Sequence, residues 1–370
     1  MNQSNCIVAQ SGGPTVAINA SLAGVIAGVK SSEKYDICYG AVNGILGILN
    51  ENYLNLSDIF ADDANLEKLK TTPAMYLGSC RHKLPDYKDD DSPYVYIFHQ
   101  FDKLSIKAFF YIGGNDSMDT VLKLSDYAKK INSDVKIIGI PKTIDNDLCM
   151  TDHTPGFGSA AKYVASTMLE IAHDTYIYQI PSVVIVEIMG HKVGWLALYA
   201  GIAGGADIIL LPEIPYDIDV VVNAIRSRTK NGKNFTILAV AEGAISKENA
   251  ALTKKELKEK KKNGPVYPSV AYELGAQISE RTGQEIRVTV PGHMQRGGEP
   301  CPYDRVIATR LGAEAAEMIR RKEYGYMVAL NNNKIEKIPL ADIAGKLKMV
   351  DPKSDIIREA KDVGISFGDE

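Results

Sequence analysis

Residues 138–147 read "IGIPKTIDND", an apolar run that closes on Pro141 and is followed at once by Lys142, Thr143, Asp145, Asn146 and Asp147. Two carboxylates one residue apart, beside a lysine, suit either metal binding or base catalysis. Phosphoryl transfer to an alcohol uses both abilities: one carboxylate accepts the hydroxyl proton while cations spread the charge of the moving group. A structural use is also open, with Asp145 capping a helix by accepting backbone N–H groups. A second stretch, "AFFYIGGNDSMDTV" (108–121), reads as a buried strand over Ala108–Ile112, two glycines and a helix start. Backbone N–H groups at such a turn and helix N-terminus hold phosphates well. Asp116 nevertheless puts a carboxylate at the mouth of that turn, where an anion is repelled.

Four turns of this kind follow apolar runs: "SGGPT" (11–15), "GGNDS" (113–117), "MGHKVGW" (189–195) and "PGHMQRGG" (291–298). In α/β sheets ligands gather at the carboxyl ends of strands, where such turns lie. The chain has no G-x-x-x-x-G-K-[ST], no G-x-G-x-x-G opening a helix after a strand, no H-E-x-x-H and no G-x-S-x-G. P-loop enzymes, nicotinamide dehydrogenases, common zinc proteases and serine hydrolases are therefore disfavoured.

The elements that position these turns are short apolar runs: "CIVAQSGG", "AFFYIGG", "VKIIGIPK", "SVVIVEIMG", "ADIILLPE", "FTILAVAEG" and "IRVTVPGH". All-apolar strands fit a parallel sheet buried on both faces. Helical patterns at Ala17–Lys30, Met118–Ile131 and Ser159–His173 lie between them, so the expected class is α/β with doubly wound layers. Seven strands over this length fit two sheets better than one. Three segments stay outside the pattern. "LPDYKDDDSPY" (84–94) reads as an acidic surface loop, "LTKKELKEKKKNGP" (252–265) as a solvated helix or excursion without a ligand, and the tail after Pro339 as charged and weakly periodic.

The 370 residues carry 42 Lys and Arg against 46 Asp and Glu, a net charge of −4 with no basic block for a phosphate backbone, so nucleic acid is not an expected partner. Cys6, Cys38, Cys80, Cys149 and Cys301 share no C-x-x-C spacing, which speaks for a reducing compartment. No apolar run reaches the ~18 residues of a membrane helix, and "MNQSNCIVAQSGG" enters a strand at once. A cytoplasmic protein without membrane contact is expected.

Over about residues 5–330 the sequence resembles the phosphofructokinase family. The blocks that carry the resemblance stand in the family's order: "SGGPTVAINA", "YLGSCRHK", "GGNDS", "PKTIDND", "VVIVEIMG", "AEGA", "IRVTVPGHMQRGG" and "PYDRVIATRLG". The resemblance implies two doubly wound Rossmann-like lobes with mainly parallel sheets. One, residues 1–155 with about 297–345, would take the phosphate donor; the other, 156–296 with about 346–370, would take the sugar phosphate. It implies that Asp145 is the base for the 1-hydroxyl of fructose 6-phosphate. Thr143 and Asp147 would line the transferred phosphoryl group and its Mg²⁺. Gly13, Arg81, Asn115 and Ser117 would meet the donor phosphates. Met189, Gly190, His191, Glu242, Arg287, His293 and Arg296 would form the sugar-phosphate pocket.

Within the family the chain looks most like the pyrophosphate-dependent branch. ATP-using members resemble one another in having glycine at the places of Asp116 and Lys142. A carboxylate at Asp116 fills the path of a nucleotide's α-phosphate and repels it, while Lys142 offers a cation to the shorter donor. The expected reaction is reversible phosphoryl transfer from pyrophosphate to fructose 6-phosphate in a homodimer or homotetramer. An ATP-dependent enzyme and a catalytically weakened regulatory subunit are the alternatives. Four departures bear on this. Asn115 stands where a magnesium-holding aspartate is usual, which puts the metal on Asp116 and Asp147. His191 stands where arginine is usual, a less secure phosphate anchor that Lys192 could support. Ser182 replaces an arginine that in some members reaches a neighbouring subunit's substrate. Ala23 and Ala27 replace effector-site arginines, so nucleotide allostery is not expected.

Overall fold

The computed structural model describes residues 4–177 and 179–370, with the backbone alone for Lys261. The chain divides into two compact units, Met1–Ser159 with Arg296–Lys348, and Ala160–Gln295 with Met349–Glu370.

In the first unit seven strands form one sheet: β1 (Asn5–Gln10), β2 (Cys38–Ala41), β3 (Tyr53–Asn55), β4 (Ile106–Gly113), β5 (Lys136–Pro141), β10 (Tyr326–Asn331) and β11 (Lys334–Pro339), in the order β11-β10-β5-β4-β1-β2-β3. β10, β5, β4, β1 and β2 run parallel, while the outer pairs β2–β3 and β10–β11 are antiparallel. Every residue of β1 is buried, as a strand covered on both faces requires. The chain winds outward in one direction from β1 through β2 and in the other from β4 through β5. The topological switch point therefore lies between β1 and β4, the place where open α/β sheets bind ligands. The turns 11–15 and 113–117 leave the sheet there.

In the second unit the order is β7-β8-β6-β9, all parallel, from β6 (Ser182–Ile188), β7 (Ile208–Leu210), β8 (Phe235–Ala241) and β9 (Glu285–Thr289). The mainly parallel α/β class read from the apolar runs is what the chain adopts. The tail that looked weakly periodic carries the helix Asp355–Asp362, with Ile357 and Ala360 buried. Its end lies along β7, where Ile209 N–H donates to Ser366 O at 2.8 Å.

Two local expectations change. In the acidic segment 84–94 the polar middle is exposed, but Leu84 and Tyr94 at its ends are buried and a helix already starts at Ser92. The hairpin β10–β11 falls outside the seven apolar runs. Asn332 and Asn333 form its two-residue loop with φ of 49° and 62°, the left-handed pair that a type I′ turn demands and asparagine tolerates. Among the described residues no helix is long and apolar enough to cross a membrane.

The helices Ile18–Ser32 and Pro302–Arg320 pack at backbone contact. A Cβ on Gly312 would lie 2.1 Å from Ser21 O, and one on Gly24 would lie 2.4 Å from Thr309 O. Neither obstacle is a side chain that can swing away. Gly312→Val should therefore destabilise by about 2–3 kcal/mol through overpacking, read as a lower urea midpoint at constant m. An unchanged midpoint would mean that the helices do not approach this closely.

Candidate active site

In the first unit, β1 ends in the turn Ser11–Gly13 and β5 ends against it. Lys142, the first residue after β5, is only 1% exposed and turns its ammonium under that turn. Nζ donates to Ser11 O at 2.7 Å and to Gly13 O at 2.6 Å. Burial lowers its pKa to about 7, helped by the nearby Arg296 guanidinium and opposed by Asp145 and Asp147. Gly12 has φ +81°, the left-handed region where glycine is at home. A Cβ on Gly13 would lie 2.8 Å from Arg296 Cζ. Arg296, which the sequence grouped with the sugar-pocket residues, thus lies in the first unit against the turn of Gly13. Gly13, Lys142 and Arg296 come together from positions more than a hundred residues apart.

The turn after β4 is equally tight. A Cβ on Gly113 would sit 2.0 Å from Ser117 Oγ, and Ser117 is buried. The following helix, Asn115–Lys130, has Gly114 as its N-cap, so Asp116 lies in the first turn and does not cap it. The Asp116 carboxylate is 73% exposed and pairs with Lys83 Nζ at 2.8 Å. Arg81, two residues from that lysine, is exposed. Both amide atoms of Asn115 are buried and make no hydrogen bond within the described residues. Buried polar atoms are rarely left so, and this amide is in want of a ligand.

Residues 142–150 contain no helix, and Thr143 makes an isolated parallel bridge to Gly156, so the helix-cap use of Asp145 is not what this segment adopts. Thr143 Oγ1 accepts from Asp145 N–H at 3.1 Å and orients that residue. Asn146, buried with φ 52°, is the organiser that the sequence did not announce. Its Oδ1 accepts from Thr154 N–H at 3.1 Å and its Nδ2 donates to Asp152 O at 3.2 Å. Thr154 Oγ1 donates to Thr143 O at 2.9 Å. Lys348, at the end of the segment Arg296–Lys348, clamps the other side. Its N–H donates to Asp147 O at 2.9 Å and its Nζ to Thr151 O at 2.8 Å. Two carboxylates are thereby presented on a loop held from both ends.

A divalent ion fits part of this set. Among the described residues no three His, Cys, Asp or Glu converge on one point. Magnesium typically takes one or two carboxylates and completes its shell with water and substrate phosphates. Asp147, with Oδ1 buried, and the Asn115 amide oxygen are suitable oxygens. Asp116, the other ligand expected from the sequence, has its exposed carboxylate 2.8 Å from Lys83 Nζ.

In the second unit the loops after β6 and β8 interlock. Met189 N–H donates to Gln295 Oε1 at 3.0 Å, and Gly190 N–H approaches Glu242 Oε1 at 3.4 Å. Glu242 N–H donates back to Ile188 O at 2.8 Å. A Cβ on Gly243 would fall 2.0 Å from His191 O, so the two loops touch through backbone. Met189, Gly190, His191 and Glu242 are brought together, and Gln295, which lies in the turn 291–298 but had no role from the sequence, is their anchor. Arg287 stands in mid-β9 and bonds Asp174 and Glu285, each at 3.0 Å. His293 is exposed on the short 3-10 helix Gly292–Arg296, and Lys192 is exposed beside His191.

A mainly parallel sheet with glycine turns at its switch point and a carboxylate loop beside them has the parts that phosphoryl transfer uses. The phosphofructokinase family pattern matches residues 5–319. The chain is 39% identical over 366 residues to the ATP-dependent 6-phosphofructokinase of Spirochaeta thermophila, covering 97% of this chain and 96% of that one. It is 36% identical to the ATP-dependent 6-phosphofructokinase of Chloroflexus aurantiacus, covering 98% and 97%. Its fold matches the pyrophosphate-dependent phosphofructokinase of Nitrosospira multiformis with a TM-score of 0.84 at 29% identity, covering 98% and 92%. The corresponding enzyme of Marinobacter aquaeolei matches with a TM-score of 0.82, again at 29% identity. The protein belongs to the phosphofructokinase family.

Proposed function

We propose that the protein transfers the terminal phosphoryl group of pyrophosphate to the 1-hydroxyl of fructose 6-phosphate. The Asp145 carboxylate accepts the hydroxyl proton, and the oxygen so freed forms a bond to the terminal phosphorus. The bond from that phosphorus to the bridging oxygen breaks, and inorganic phosphate leaves with its electron pair. Thr143 holds Asp145 in place through its backbone N–H. Arg296 and Arg81 supply fixed charge to the donor oxygens. Mg²⁺, held by Asp147 and the Asn115 amide, would screen the charge of the phosphates. Glu242 accepts from sugar hydroxyls.

The observation that carries the donor assignment is Asp116. Its carboxylate stands exposed in the first turn of the helix at the switch point, where a chain of three phosphates would meet a negative charge. Lys142 adds less than its sequence position promised. Two of its three N–H donors are spent on backbone carbonyls, so it shapes the turn more directly than it grips a donor.

A second reading, transfer from ATP, rests on a specific observation as well: the relatives that match at 36–39% identity over nearly the whole chain carry the ATP-dependent name. The Lys83 partner of Asp116 also neutralises part of the repulsion. Initial rates with fructose 6-phosphate and Mg²⁺, offering pyrophosphate in one assay and ATP in the other, decide between them. Turnover with pyrophosphate alone is expected. Turnover with ATP alone would overturn the donor assignment and leave Asp145 in its role. No turnover with either would favour a regulatory subunit of the same fold.

A further inference from the structure

The charged run 252–265 forms the helix Lys254–Asn263, opened by reciprocal bonds between Thr253 and Glu256. That helix and the segment 264–269 roof a cavity of about 580 Å³ within the second unit, whose floor carries His191 and Glu242. From the helix, Leu257 and Lys260 line it. Lys260 Nζ donates to Glu248 Oε1 at 2.7 Å and to Asn249 Oδ1 at 2.8 Å. An ammonium has three donors, and two are engaged among the described residues. Tyr216, Ser269 and Glu273 stand in the same lining. Ser269 Oγ is buried there and has no hydrogen-bond partner within the described residues.

The charges are sorted. Glu242 and Glu273 can accept hydrogen bonds from hydroxyls and repel an oxyanion, while the roof presents the lysine. A ligand with hydroxyls along its body and an anionic group at one end meets complementary chemistry in that orientation only. We propose that this cavity is part of the sugar-phosphate site and that Lys260 is a binding residue for the acceptor's phosphate monoester. Lys260 thereby adds an ammonium to the same cavity lining that holds His191. The proposal rests on the sugar-phosphate reading of Glu242 given above. It also gives the charged run a use that its composition, read as a solvated helix, concealed.

The test compares Lys260→Met and Lys260→Arg with Lys258→Met, a neighbouring exposed position on the same helix, in the full chain. Methionine and lysine have similar helix propensities, and an exposed ion pair such as Lys260–Glu248 contributes little to stability, so all three variants fold. The Met variant should raise KM for fructose 6-phosphate roughly ten- to a hundredfold, as loss of one charge-assisted hydrogen bond does. Its kcat and donor KM should stay within about threefold, and KM should depend less on ionic strength than in the wild type. Lys260→Arg should restore KM, and Lys258→Met should leave it unchanged. In a parallel assay, the rise in Tm produced by fructose 6-phosphate should shrink in the Met variant alone. An unchanged KM in Lys260→Met, or an equal rise in Lys258→Met, overturns the proposal. If the wild type turns over fructose 6-phosphate with neither donor and shows no Tm rise with it, the sugar-phosphate reading itself fails, before any variant is compared.

Discussion

Asp145→Asn should lower kcat by about 10²–10⁴-fold, the usual worth of a positioned general base, with the KM for fructose 6-phosphate within a few-fold. Asparagine keeps the shape of the side chain, and the backbone N–H that Thr143 Oγ1 holds at 3.1 Å is untouched. What is lost is a group that can take a proton. A loss of that size corresponds to about 3–5 kcal/mol of transition-state stabilisation. That exceeds the effect of small structural adjustments, so the experiment discriminates. Fructose 6-phosphate should still raise the Tm of the variant, because the residues proposed to hold its hydroxyls lie in the second unit. An unchanged kcat would remove Asp145 from the mechanism. Equal losses in kcat and in sugar binding would make it a structural residue of the 142–156 loop.

Lys142→Met should lower kcat/KM for the phosphoryl donor by roughly a hundredfold, the scale on which a displacement of about 1 Å costs rate. In the wild type the buried ammonium ties Ser11 O and Gly13 O to β5, and the turn it holds is the one Arg296 packs against. Methionine fills similar volume but leaves both carbonyls without that partner, at about 1–3 kcal/mol each when water cannot reach them. Removing a buried cation works in the opposite direction. Stability near neutral pH should therefore change much less than activity.

The same variant has a pH signature. The folded-state pKa of Lys142 is lowered to about 7 from an ordinary 10.5. Between those values the unfolded chain binds a proton that the folded chain does not. Stability must then rise with pH across that window, by up to about 1.4 kcal/mol per pH unit from this one group. Urea unfolding at pH 7.5, 8.5 and 9.5 should show this rising contribution in the wild type and not in Lys142→Met. Parallel slopes would mean that Lys142 stays protonated throughout.

Much of the fold is written locally. The seven runs read as strands are β1, β4, β5, β6, β7, β8 and β9, because an uninterrupted apolar run closed by glycine or proline has few other low-energy uses. The short strands β2 and β3 carry too few residues for a periodic signal, and β10–β11 announces itself only through Asn332-Asn333. The turns that bear the candidate chemistry were visible for the same reason, since glycine with positive φ or a close backbone approach is a local demand. The carboxylates at 145 and 147 stand out because two acids beside a lysine are unusual on a strand end. The network that holds them was not visible. Asn146, Thr154 and Lys348 look like ordinary polar residues until the loop closes on itself.

The sequence by itself determined the α/β layering, the strand-end turns and the paired carboxylates at 145 and 147, because each follows from neighbours within about ten residues. Tertiary structure alone decided what the charged side chains do. Lys142 is drawn beneath carbonyls of residues 11 and 13, Arg296 lies on Gly13, Asp116 meets Lys83, and the lysine-rich helix lays Lys260 over the cavity of Glu242. A long cation is compatible with many partners in sequence. Its partner is chosen by which backbone and which carboxylate the folded chain brings within hydrogen-bonding distance, and by whether burial there leaves it any other way to be solvated.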